Sequence, residues 1–151
     1  MKKNFYSVIA ALIVCWSFSP SLSFSQNRDS IYVNAAYTGT TETGSKTQPF
    51  KTIRKALDKR ASNGLAGMVT NEVIIVKAGT YYPKGTDMLL INRTNCGKNG
   101  KWLTIKSETP FGAIIRGDSL YKTMFAAIVS FSDSASYVKL ENFIIEHIRN
   151  N

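Results

Sequence analysis

Three short segments of similar pattern recur at wide spacing along this chain of 151 residues. Glu72-Val73-Ile74-Ile75, Trp102-Leu103-Thr104-Ile105 and Tyr137-Val138-Lys139-Leu140 begin 30 and then 35 residues apart. Aligned on their starts, Val73, Leu103 and Val138 share one position, and Ile75, Ile105 and Leu140 the next of like parity. After a turn, each is followed by a second β-forming pair: Tyr81-Tyr82, Ile114-Ile115 and Ile144-Ile145. Thr104, Lys106, Lys139 and Glu141 fall on the opposite parity, so one face of each strand points inward and the other outward. A unit of about thirty residues with two or three short strands cannot bury its own apolar face; it must stack on a like unit.

This repeat predicts an all-β chain, a right-handed parallel β-helix of about three coils, truncated after the third, with an N-terminal capping α-helix. The competing arrangement is an antiparallel sandwich built from hairpins. Against it, Asn99-Gly100 is the one such turn dipeptide between strand segments, and it sits in a longer loop. The helix is expected to open at Pro49, with Phe50, Ile53, Leu57 and Ala61 as one apolar stripe and the basic residues on the other face. Lys59 and Arg60 fall in its last turn, where cations suit the helix dipole.

Residues 1–25 read as a secretory signal. Lys2 and Lys3 precede the apolar run Phe5 to Phe18, Pro20 follows, and Ser23-Phe24-Ser25 offers small residues before Gln26. An uncleaved N-terminal anchor is the competing reading. The division that follows is 1–25 signal peptide, 26–71 N-terminal strand, loop and capping helix, and 72–151 the first coils of the β-helix. The expected location is secreted, periplasmic or cell-surface, with no membrane association after cleavage. Removal of the signal also removes Cys15 and leaves Cys96 as the single thiol, so stability must come from packing rather than an internal disulfide. Cys96 reads as a tolerated loop residue.

Lys and Arg number 19 against 10 Asp and Glu, and without the signal the net charge is +7. A basic chain outside the cytoplasm points to an acidic partner such as a uronate or sulfated polysaccharide, with a solubility charge as the alternative. The basic residues are scattered except for Lys51, Arg54, Lys55, Lys59 and Arg60 on the helix. No basic-aromatic strip or helix-turn-helix pattern supports nucleic acid.

In combination and order, the motifs resemble the N-terminal region of secreted right-handed β-helix proteins of the pectate-lyase and chondroitinase B type. Ile31-Tyr32-Val33-Asn34 resembles the opening strand, and Gln48-Pro49-Phe50-Lys51-Thr52-Ile53 with Ala56-Leu57 the capping helix. Val73 to Tyr82, Trp102 to Lys106 with Ala113 to Gly117, and Tyr137 to Ile145 resemble successive coils. The resemblance implies a protein related to polysaccharide lyases acting on acidic glycans, inactive on its own because the catalytic coils of such proteins lie further along. A non-catalytic carbohydrate- or surface-binding β-helix module is the alternative. It implies Ca2+ as a cofactor by family likeness only, and self-association through an uncapped C-terminal coil as one further partnership.

No catalytic residue is assigned. In β-elimination on a uronate, a cation offsets the carboxylate and a basic side chain removes the adjacent proton. Lys106, Arg116 and Arg149 are the substrate-binding candidates, with Lys77 and Lys139 of the same type; an outward Lys is otherwise a solvated residue. Asp118, Glu141 and Glu146 do not form a recognisable carboxyl pair for hydrolysis. Glu146 and His147 alternate faces on one strand, and Asp87, Asp118 and Asp133 lack the spacing of a metal-binding run. Asn92-Arg93-Thr94 fits a glycosylation pattern. Tyr81, Tyr82, Trp102 and Tyr121 could stack on sugars, with core packing as the alternative.

Overall fold

The computed structural model describes residues 30–64, 70–83, 89–117, 128–132 and 134–147. These form mostly strands in parallel sheets, with one helix. In chain order they are β1 (Ser30–Val33), α1 (Ile53–Ser62), β2 (Glu72–Val76), β3 (Gly79–Tyr81) and β4 (Leu89–Ile91). Then follow β5 (Leu103–Ser107), β6 (Ala113–Gly117), β7 (Val129–Phe131), β8 (Val138–Glu141) and β9 (Phe143–His147). The sheets run β1-β2-β5-β8, β3-β6-β9 and β4-β7, so within each sheet the strands follow chain order. Every strand pairing among the described residues is parallel, which excludes the antiparallel sandwich. Parallel neighbours need long connections, and the thirty-residue repeat supplies them.

The three sheets share one core. Val33, Ile74, Val76, Leu103 and Ile105 come from the first, Ala113 and Ile115 from the second, Leu89 and Ile91 from the third. Ile53, Ala56 and Leu57 of α1 join the same cluster, and α1 lies against β1 and β4. Full burial of a side chain such as Leu57 or Ile74 stabilises the fold by roughly 1.5–3 kcal/mol.

The register agrees with the repeat in its later units and departs in its first. Leu103 pairs with Val138 and Ile105 with Leu140, as the alternation predicts. In β2, however, Glu72 pairs with Leu103 and Ile74 with Ile105, so Val73 and Ile75 belong to the outward row. A slip of one residue exchanges the faces of a strand. Val73 to Val76 is an unbroken β-branched run, so its sequence carries no alternation from which to read the phase. The second sheet shows the same slip: Tyr81, not Tyr82, stands opposite Ile115 and is buried.

The helix also starts later than Pro49. Thr52 is its cap, extended at φ −128° and ψ 148°, with a hydroxyl that accepts from Lys55 N at 3.2 Å. The preceding chain is used otherwise. Phe50 forms a bridge to Val33; its N donates to Tyr32 O at 2.9 Å and its O accepts from Asn34 N at 2.7 Å. Tyr32 N donates to Gly44 O at 2.8 Å. The loop therefore satisfies the outer edge of β1, which would otherwise present unpaired backbone groups. Gly44, at φ +82°, has no room for a side chain, since a Cβ there would lie 2.5 Å from the Phe50 ring.

Arg60 is the other departure. It does not join the exposed basic face of α1 but is fully buried on the apolar one, where it pairs with Glu72. Its Nη2 also donates to Cys96 O at 3.4 Å. Cys96 itself is buried in the core rather than exposed in its loop. Asn99 and Gly100, at φ 53° and 76°, close a tight turn in which Lys98 and Lys101 exchange backbone hydrogen bonds of 3.0 and 2.9 Å.

Candidate functional site

Among the described residues, a convergence of chemistry-bearing side chains lies on the outer face of the β2-β5-β8 sheet. Alternation along the chain puts Trp102, Thr104 and Lys106 on one side of β5, at about 6.6 Å per pair of residues. Parallel register then sets Val73 and Lys139 beside Thr104, and Ile75 and Glu141 beside Lys106. The result is a cleft of about 230 Å³ lined by Asn71, Val73, Trp102, Thr104, Lys106, Lys139 and Glu141. Val73 is its buried floor.

Trp102 forms the aromatic wall and is 38 % exposed. Asn71 Oδ1 accepts from Trp102 N at 2.8 Å, and Trp102 O accepts from Glu72 N at 3.0 Å, so the backbone carrying the indole is held from both sides. Tyr137 meets the indole edge to face, with centroids 5.6 Å apart and planes at 89°. Lys139 Nζ stands over the indole ring, 5.0 Å from its centroid. Chemically the cleft offers two ammonium groups, one carboxylate, a π face, a hydroxyl and an amide. That set suits a ligand with an apolar face and anionic substituents.

Of the three predicted binding residues, Lys106 lines this cleft. Arg116 stands on the outward row of β6, where it forms an ion pair with Glu146 of β9. Hydrogen bonding to Glu146 first, and to Tyr82, holds its guanidinium pKa above the ordinary value. Lys106 and Arg116 lie on different sheets, β5 in the first and β6 in the second. Arg149 lies outside the described residues, as do Asp87, Asp118, Tyr121 and Asp133. Tyr81 serves the core: its hydroxyl donates to Lys77 O at 2.8 Å and accepts from Ala35 N at 3.4 Å, and burial raises its pKa. The sequon residue Asn92 is engaged locally, its Oδ1 accepting from Thr94 N at 2.8 Å and Thr94 Oγ1 at 2.6 Å.

Asn71 and Val73 were not legible as site residues. Val73 enters the cleft only through the slipped register of β2, and Asn71 through a hydrogen bond across 31 residues. Among the described residues Glu141 is the single carboxylate in the lining, so they offer no second acid for hydrolysis by paired carboxyls. Among the described residues no three His, Cys, Asp or Glu side chains converge, so they do not fit the Ca2+ that the family likeness implies. Among the same residues no helix is long and apolar enough to cross a membrane.

A second cavity, of about 300 Å³, lies between the start of α1 and the strands β3 and β4, floored by Ile53, Tyr81, Leu89 and Ile115. Its rim cations are already engaged: Arg54 pairs with Asp58 at 2.9 Å, and Lys51 lies 5.9 Å from the Tyr37 ring.

Compared with known proteins, the chain matches no protein-family model, no curated protein and no solved structure.

Proposed function

We propose that this chain is a stretch of right-handed parallel β-helix, exported by its first 25 residues, that binds an acidic polysaccharide across the outer face of the β2-β5-β8 sheet. The observation that carries the reading is that Lys106 and Lys139 line one cleft with Trp102, Lys139 over its indole. Pyranose rings present apolar C–H faces to aromatic side chains, and uronate or sulfate groups are matched by ammonium donors. Three in-order parallel sheets around a common core support the β-helix reading, and α1 against β1 and β4 supports its role as a lid. The relation to polysaccharide lyases rests on the motif order and makes the bound glycan acidic. The lining speaks against hydrolysis by paired carboxyls, because among the described residues Glu141 is its one carboxylate.

The test is calorimetric titration with oligomers of polygalacturonate, alginate and chondroitin sulfate beside a neutral galactan, at two salt concentrations. The expected result is binding of at least one acidic glycan that weakens with salt, and none of the neutral one. Equal or absent binding of all four would remove the reading. Ultraviolet absorbance of unsaturated uronates, expected to stay flat, reports separately on lyase activity.

A further inference from the structure

We infer that Lys139 is the charge filter of the cleft: it covers the stacking face of Trp102, so that only an anionic ligand can uncover it. The inference rests on the proposed binding of an acidic glycan and adds which residue decides acidic over neutral.

Four observations lead to it. The Lys139 ammonium stands 5.0 Å from the Trp102 centroid, over the ring rather than beside it. The two cations of the cleft differ in their neighbours: Lys106 stands opposite Glu141 in the strand register, whereas Lys139 stands opposite Thr104. Among the described residues Lys139 makes no ion pair, and its ammonium lies over the indole in a cleft that Glu141 also lines. Tyr137, in a T-shaped contact with the same indole, limits how the ring can turn.

A neutral pyranose that stacks on Trp102 must displace the ammonium from the π face and offers it no anion in return. A uronate or sulfated residue makes the same displacement, but its anion receives the ammonium in a charge-assisted hydrogen bond. The same side chain therefore opposes one class of ligand and recruits the other, which is how specificity arises from a repulsive as well as an attractive element. Lys106 contributes charge without covering the ring, so it adds affinity for anions and does not exclude neutral sugars.

The experiment compares the full chain with its variants Lys139→Met, Lys139→Arg, Lys106→Met and the double variant Lys139→Met/Trp102→Ala. Each is titrated calorimetrically with acidic and neutral oligosaccharides, after circular dichroism has shown an unchanged fold. Lys139→Met is expected to lose about tenfold in affinity for the acidic glycan and to acquire measurable binding of the neutral one. Lys106→Met loses acidic affinity with no gain for neutral sugar, Lys139→Arg keeps the selectivity, and the double variant abolishes the new neutral binding. Should the wild type bind an acidic glycan while Lys139→Met gains no neutral affinity, the filter is overturned and the proposed function stands. Should the wild type bind no acidic glycan, both fall.

Discussion

Arg60, fully buried on α1, pairs through its Nε with Oε2 of Glu72, the first residue of β2. The inward position of β2 opposite Leu103 is thereby given to a carboxylate. Deleting one partner strands a buried charge, at a cost of about 3–5 kcal/mol, whereas an apolar pair of similar volume is often neutral. Urea unfolding should therefore show Arg60→Met and Glu72→Gln each strongly destabilised. Arg60→Met/Glu72→Leu should recover most of the loss. A double variant as unstable as the sum of the two singles would mean that the residues act independently.

Glu42 ties the long loop to the start of α1. Its carboxylate accepts from Lys55 Nζ at 2.6 Å and from Lys51 N at 2.8 Å. The hydrogen bond from Lys55 is the main cause that lowers its pKa below the ordinary 4.5, against the opposing effect of burial. A depressed native pKa means that the contribution is complete above 4.5 and is lost as the pH falls through the native value. Melting curves from pH 6 to about pH 2 should show Glu42→Gln with a shallower acid decline than the wild type. The effect is modest, because Lys55 is half exposed and salt screens it.

Gly97 is where two successive turns of chain touch. A Cβ built there would lie 2.3 Å from Lys101 O and 2.4 Å from Tyr137 O. Gly97 N also donates to Ser136 O at 3.1 Å. Both clashing atoms are backbone, so neither can swing aside. Gly97→Ala should cost about 1–3 kcal/mol and should perturb indole fluorescence, because Tyr137 is the edge partner of Trp102. An unchanged melting temperature and emission would contradict this packing.

Ile115 and Ile145 occupy equivalent inward positions on neighbouring strands, yet Ile115 is 0 % exposed and Ile145 is 51 % exposed. Ile115→Ala should cost about 2–5 kcal/mol, as buried truncations do. Ile145→Ala should cost less than about 1 kcal/mol. Equal losses in urea unfolding would show that Ile145 is covered in solution.

The sequence by itself determined the strand content, the long spacing between paired strands and the later registers. Leu103-Thr104-Ile105-Lys106 and Val138-Lys139-Leu140-Glu141 alternate, and alternation states its own phase. It also marked Lys106, Lys139 and Trp102 as residues of one chemistry, without bringing them together. The tertiary structure decided what local pattern leaves open. Val73 to Val76 is apolar at every position, so only pairing with β5 and the inward pull of Arg60 on Glu72 select which face is buried. The amphipathic pattern of α1 likewise counted Arg60 as a surface cation, because a charge is buried only when a distant partner meets it. The cleft follows from the same cause: its floor, wall and cations come from three strands separated by some thirty residues each, and register alone makes them neighbours.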